Sequence, residues 1–240
     1  MKRLANYSQN FIRNPRLVSD LVGLTNIYKN DIVYDIGAGS GVISSVLAEK
    51  CKAVVAVEFE PRAAAKLHEN MEKYPNVSVY EGDFLTMPLP KGLYKIFANI
   101  PFHLSSPIVR KIIEADNPPE ATYLIVQKQF GEKLLSNSAK FTGQLGMMIG
   151  PGFIVKIRKN LQRTDFWPHP NVDTVFVEII RRAEPLIEKH KMPVYCKLIS
   201  DCFSDPKKFA KTPRDKIDLP ANIRPSQMRL EQWIALFSAC

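Results

Sequence analysis

The stretch Ile32-Val33-Tyr34-Asp35-Ile36-Gly37-Ala38-Gly39-Ser40-Gly41-Val42 sets the architecture of the chain. A short β-branched run passes into three glycines at alternate positions and then into a helical pattern over 41–50. Strand, tight loop and helix start within eleven residues, which is how a parallel α/β unit opens. Glycines let the backbone approach a ligand where a Cβ would collide. Dinucleotide-binding loops use GxGxxG spacing and seat a pyrophosphate on the helix N-terminus. Here the spacing is GxGxG, and an acid, Asp35, precedes the first glycine. Those features fit a cofactor that has no phosphate and whose charged end is an amino acid.

Outward from this loop the pattern repeats. Apolar runs at 53–57, 77–80, 96–100 and 123–126 alternate with helical stretches at 61–73, 106–115 and 127–135, and a further helix precedes them at 15–24. Pro15, Pro61 and Pro107 stand in first helical turns, where a missing N–H costs nothing. Short β-branched runs between helices predict a mostly parallel sheet covered on both faces. The runs 153–157 and 174–180 have no helix between them and predict an antiparallel pair at one edge. After Pro185 the pattern becomes two helices, 192–203 and 226–237, joined by a Pro-, Lys- and Asp-rich connection. The expected division is a catalytic domain over 1–183 and a small helical domain over 184–240.

Ligand-type residues recur at the ends of these runs. Glu58 closes the second, 23 residues after Asp35, where a carboxylate accepts ribose hydroxyls. Asp83, in Glu81-Gly82-Asp83-Phe84, closes the third and can take an adenine amine, with Phe84 beside the ring. Open α/β sheets bind ligands outside the carboxyl ends of their strands, and the set selects S-adenosylmethionine over NAD. Asn99-Ile100-Pro101-Phe102 comes directly after the fourth run. An amine conjugated to a planar base is a weak nucleophile. The Asn99 side-chain oxygen and the Ile100 carbonyl can accept its hydrogens and push the nitrogen toward tetrahedral geometry. Pro101 fixes the turn, and Phe102 offers a face for base stacking. His103 reads as a loop residue at the entrance.

The rest of the composition is less specific. Among 240 residues, 45% are hydrophobic and 24% charged, as in an ordinary globular protein. No apolar run approaches the roughly 18 residues of a membrane span, and the basic start Met1-Lys2-Arg3 lacks a signal-peptide core. A cytoplasmic, monomeric protein is expected. Cys51, Cys196, Cys202 and Cys240 show no metal-ligand spacing, so reduced thiols and no metal are expected. The net charge is +9, with more than half of it in residues 181–240, which favours a polyanionic partner. Candidate RNA contacts are Lys2, Arg3, Arg13 and Arg16, then Arg110 and Lys111, then Lys156, Arg158, Lys159 and Arg163, and finally Lys207, Lys208, Lys211, Arg214 and Lys216.

Taken together, these motifs resemble those of the ribosomal RNA adenine dimethyltransferases, which include the Erm macrolide-resistance methylases and the KsgA/Dim1 small-subunit enzymes. The resemblance covers nearly the whole length. It implies a Rossmann-like class I methyltransferase sheet with a small C-terminal helical domain. Ser8-Gln9-Asn10-Phe11 resembles the N-terminal segment that contacts the cofactor, which implies roles for Gln9 and for Asn10 at the methionine moiety. Gly37, Gly39, Glu58, Asp83 and Phe84 match the cofactor motifs, and Asn99, Ile100, Pro101 and Phe102 the catalytic one, although many relatives carry Tyr at the last position. Phe166, in Asp165-Phe166-Trp167-Pro168-His169-Pro170, resembles an aromatic that closes on a flipped base. The stretch 228–237 is closer to the closing helix of Erm proteins, which implies dimethylation of one 23S rRNA adenine and resistance to macrolides, lincosamides and streptogramin B. Small-subunit rRNA as substrate, a non-catalytic nucleic-acid-binding protein on the same fold, and a DNA or small-molecule methyltransferase stay open as alternatives.

Overall fold

Runs of Val, Ile, Ala and Phe too short for helices become strands, and amphipathic stretches behind capping residues become helices. The computed structural model describes residues 10–138, 141–217, 219–220 and 222–240. The strands are β1 (Phe11–Ile12), β2 (Ile32–Ile36), β3 (Ala53–Glu58), β4 (Val77–Glu81), β5 (Lys95–Asn99), β6 (Ala121–Gln127), β7 (Phe153–Leu161), β8 (Phe166–Trp167) and β9 (Thr174–Arg181). The helices are α1 (Pro15–Val22), α2 (Val42–Ala48), α3 (Pro61–Met71), α4 (Ser105–Ile113), α5 (Lys128–Leu134), α6 (Gln144–Ile149), α7 (Met192–Ser204), α8 (Pro206–Ala210) and α9 (Leu230–Ala239).

Seven strands form one sheet in the order β4-β3-β2-β5-β6-β9-β7, and β1 pairs with β8 in a separate ribbon. From β4 to β6 the pairings are parallel, with Ile36 beside Val57, Glu58 beside Glu81 and Asn99 beside Ile125. The order runs outward from β2 in both directions. Right-handed crossovers therefore place α2 and α3 on one face and α4 on the other, and leave a crevice between the ends of β2 and β5. β9 runs antiparallel to β6, and β7 in turn runs antiparallel to β9. Lys128, just past β6, donates its amide to Asp173 before β9, and Arg182, just past β9, donates to Gly152 before β7.

The chain divides into two compact units, residues 1–128 with 157–179 and residues 129–156 with 180–240. In the first, Val33, Ile96, Phe97, Ala98, Tyr123, Leu124, Ile125 and Val126 are wholly buried, as expected for strands covered on both faces. The helix starts are set locally. The Asn14 side chain accepts from the Arg16 amide (3.0 Å) ahead of Pro15, and the Glu60 side chain from the Ala63 amide (2.7 Å) ahead of Pro61.

The second unit has its own core around Trp233, Tyr195, Ile199 and Leu236, all fully buried. Phe203 stacks on Trp233 with ring centroids 5.8 Å apart, and the Tyr195 hydroxyl donates to the Met147 carbonyl (3.0 Å). The helical appendage expected over 184–240 thus shares a core with Met147 and Met148 of α6. No helix among the described residues is long and apolar enough to cross a membrane.

Candidate active site

In the glycine loop the backbone is left-handed at three places: φ is +70° at Gly37, +58° at Gly39 and +91° at Gly41. Torsion disfavours a side chain at all three, and at Gly39 and Gly41 space is tight as well. A Cβ on Gly37 would meet Pro101 Cδ at 3.6 Å, and one on Gly39 would meet the Phe11 ring at 3.2 Å. The Gly37 and Ala38 amides are tied to the Val57 carbonyl at 2.8 and 3.0 Å, so the loop folds back over the end of β3.

Glu58 is buried at that end. Its Oε2 accepts from the Gly39 amide (2.8 Å) and its Oε1 from the Glu60 amide (2.9 Å). Two backbone donors hold both oxygens in place, and each keeps a lone pair for an incoming hydroxyl. On the next strand, Asp83 Oδ1 accepts from the Leu85 amide (2.8 Å), which fixes the carboxylate in a tight turn. Phe84 beside it is buried, with Lys111 Nζ 5.2 Å from its ring centroid. That ammonium also donates to the Leu85 carbonyl (2.8 Å) and the Met87 carbonyl (2.5 Å). Burial lowers its pKa, against the raising effect of the Asp83 carboxylate. Lys111 is therefore a brace under the 83–87 turn rather than a free cation for RNA.

Asp35 is completely buried at the base of the loop. Ser44 donates to its Oδ2 (2.6 Å), while Oδ1 has no partner among the described residues. Desolvation raises its pKa to about 7; the Ser44 hydrogen bond works against this, and the Glu58 charge adds to it.

Asn99 ends β5, one strand over from the glycine loop. Its Nδ2 donates to the Asn10 carbonyl at 2.7 Å. That bond uses the donor end of the amide and leaves Oδ1 as the acceptor end, a polarity that an unanchored amide would not keep. Asn10, Phe11, Gly37, Asn99, Ile100, Pro101 and Phe102 line one open cleft. Ile100 is buried, Phe102 is half-exposed and His103 is exposed.

Of the residues expected to act, the cleft gathers Asn10, Gly37 and Asn99 to Phe102. Gly39 and Glu58 join through their shared hydrogen bond, and Asp83 stands past the end of the adjacent strand. The strands β4, β3, β2 and β5 are neighbours, so Asp83, Glu58, Gly37 and Asn99 form a row along one sheet end, about 15 Å long at the usual strand spacing. A row of that length suits an extended nucleoside joined to an amino acid. Phe166 lies elsewhere. It is buried in β8 opposite Ile12 and does not line the cleft. Gln9, with Ser8, Lys2 and Arg3, lies outside the described residues. The Phe11 ring forms one cleft wall, a role that no local pattern marks, since the sequence does not show which aromatic will face the loop. Among the described residues no group of three or more His, Cys, Asp or Glu could hold a metal.

The family model for ribosomal RNA adenine dimethylase matches residues 2–213. The chain belongs to the ribosomal RNA adenine dimethylase family. Relatives of this chain carry two kinds of name. A ribosomal RNA small subunit methyltransferase A of Thermotoga neapolitana is 30% identical over 96% of this chain and 88% of its own length. An rRNA adenine N-6-methyltransferase of Saccharopolyspora erythraea is 27% identical over 96% of this chain and 64% of its own length. Among solved structures, the 23S rRNA methyltransferase ErmE superposes with a TM-score of 0.82 at 26% identity, over 96% of this chain and 99% of that one. A dimethyladenosine transferase from Plasmodium falciparum shares the fold, with a TM-score of 0.76 at 22% identity over 94% of this chain and 95% of that one. The expected family and the Rossmann-like α/β sheet are thereby borne out.

Proposed function

We propose that this protein transfers methyl groups from S-adenosylmethionine to the N6 amine of an adenine in ribosomal RNA. The observation that carries the reading is the 2.7 Å bond from Asn99 Nδ2 to the Asn10 carbonyl. It aims an acceptor into a cleft that also holds the Gly37 backbone and the Phe102 ring. Asn99 Oδ1 and the Ile100 carbonyl accept the two amine hydrogens and draw the lone pair out of conjugation. Phe102 stacks on the base. Phe166, through its place against Ile12, shapes the wall behind Phe11. No side chain need act as a strong base, since the methylated ammonium is itself acidic. Positioning and oriented dipoles supply the rate.

The glycine cradle fits the proposed cofactor, because Gly37 and Gly39 hold left-handed backbone that a side chain would strain, and a Cβ on Gly39 would crowd the Phe11 ring, so the backbone stays bare where a ligand must pass close to it. When bound, S-adenosylmethionine supplies an electrophilic methyl group on a sulfonium. Glu58 is suited to its ribose hydroxyls, Asp83 to its adenine amine, and Asn10, with Gln9, to its amino-acid end.

Large-subunit RNA is the favoured substrate. The support is the overlap with ErmE, which takes in nearly all of both chains. Dimethylation of one 23S adenine and resistance to macrolides, lincosamides and streptogramin B follow from that reading. Exposed Lys207, Lys211 and Lys216 in the second unit, and Lys156 and Lys159 on β7, are the cations best placed for phosphates. Lys208 is engaged with Asp201 (2.7 Å), and Arg214 covers the Phe209 ring. The small-subunit names of several relatives support a second reading. The test is to incubate the protein and labelled S-adenosylmethionine with protein-free 23S rRNA and, separately, with 30S particles, and to map the product by primer extension. Label in 30S particles alone overturns the large-subunit reading, and no label in either overturns the activity.

A further inference from the structure

The ribbon of β1 and β8 has two unlike faces. Partners across an antiparallel pair share a face, so Ile12 and Phe166 lie together on one side and Phe11 and Trp167 on the other. Ile12 and Phe166 are 4% and 2% exposed; Phe11 and Trp167 are 39% and 47% exposed. A tryptophan half in solvent has no packing reason to be one. Its surroundings are cationic and aromatic: the Arg13 guanidinium sits 5.3 Å from its ring centroid, and the His169 ring meets it at 84° with centroids 5.6 Å apart. Its cross-strand partner Phe11 is itself a wall of the catalytic cleft. The open face is thus continuous with the place where the target base is to sit.

Resting on the RNA reading above, we propose that Trp167, backed by Arg13, is a stacking platform for the nucleobase next to the target adenine in single-stranded RNA. Cross-strand neighbours stand about 5 Å apart, so Trp167 lies one step beyond the wall that Phe11 gives the cleft. Aromatic stacking tolerates any base, because every base has a π-face. Arg13 adds positive charge where the connecting phosphate passes. Such a platform would hold the strand on one side of the flipped base and fix which nucleotide enters.

The two tryptophans make the test selective, because Trp233 is wholly buried. The probe is a short single-stranded oligoribonucleotide centred on the mapped adenine, together with copies in which one flanking nucleotide is abasic. The intact oligonucleotide should quench the exposed tryptophan emission. Trp167→Leu should raise KM for the oligonucleotide by about fivefold to a hundredfold with KM for S-adenosylmethionine unchanged, and Trp167→Phe should restore most of the loss. One abasic copy should be as poor a substrate for the unmodified protein as the intact one is for Trp167→Leu, and no poorer still for that variant. Equal KM for intact and abasic copies with the unmodified protein overturns the platform while leaving the methyltransferase reading intact. If Trp167→Leu also disturbs the cofactor KM, the abasic comparison on the unmodified protein decides alone. Quenching without any methyl transfer supports the platform and overturns the proposed activity instead.

Discussion

Replacing Asp35 with asparagine should remove a pH dependence of stability from the first unit. The carboxyl is fully buried, has one donor in Ser44 and lies near the Glu58 charge, so its folded-state pKa stands at about 7 against an ordinary value of 3.8. Between those values the folded chain holds a proton that the unfolded chain has released. Stability from this group is therefore fully present below pH 3.8 and is lost as pH rises through 7. At about 1.4 kcal/mol per unit, the whole window amounts to about 4 kcal/mol, of which about 3 kcal/mol falls between pH 5 and 8. The amide in Asp35→Asn is neutral throughout and keeps an oxygen for the Ser44 hydroxyl. Urea unfolding of both proteins at pH 5, 6, 7 and 8 should show the variant gaining on the parent by about 3 kcal/mol across that range. Parallel stability curves would refute the argument, for they would mean that Asp35 ionises in the fold as readily as in water.

Asn99→Ala should lower kcat by about a hundredfold or more, the scale of losing one preorganised polar contact at a reacting centre, with cofactor affinity in calorimetry within a few-fold; full activity would refute its role. Asn99→Asp keeps an acceptor but sets a carboxylate against the Asn10 carbonyl, so it should lose activity as well, and an active Asp variant would show that the bond from Asn99 to the Asn10 carbonyl is dispensable. Gly39→Ala forces a Cβ to 3.2 Å from the Phe11 ring at φ +58°. It should cost about 1–2 kcal/mol of stability and weaken S-adenosylmethionine binding, read by thermal melting with and without cofactor. Lys111→Met removes the brace under the 83–87 turn and should raise KM for S-adenosylmethionine several-fold; a drop of about one in the salt slope of RNA binding would show instead that Lys111 contacts phosphate.

Much of this site was legible because a parallel sheet puts chemistry at predictable places. Glu58, Asp83 and Asn99 each close an apolar run or stand just past one, Asp35 stands one residue before the end of its own, and a run of β-branched residues too short for a helix has few other fates. The bounds of β2 fell where the pattern placed them, because Asp31 and the glycine loop flank the run and four of its five residues are buried. The pairing of β1 with β8 was not legible. Two-residue strands far apart in sequence carry no periodicity, and their partner is set by tertiary contacts. For the same reason nothing in Asp165-Phe166-Trp167-Pro168 could say which aromatic faces inward; the structure buries Phe166 and exposes Trp167. Lys111 looked like a surface cation because its helix position shows that it is near the turn, while only the fold shows two carbonyls waiting for it. Residues 129–156 read as a continuation of the sheet region, and the core around Met147 and Trp233 draws them into the second unit.

The row from Asp83 to Asn99 works as a ruler whose divisions are strands. Backbone pairing fixes the distance between the groups suited to a nucleoside and the group suited to an acceptor amine, and no loop can stretch it. Three strands carry the first set, and a single neighbour carries the second. Evolution can therefore rewrite the turn after β5, exchanging one planar amine for another, without disturbing the grip on the methyl donor. Conversely, a one-residue slip of β5 against β2 would turn Asn99 to the opposite face of the sheet and uncouple the two halves at once.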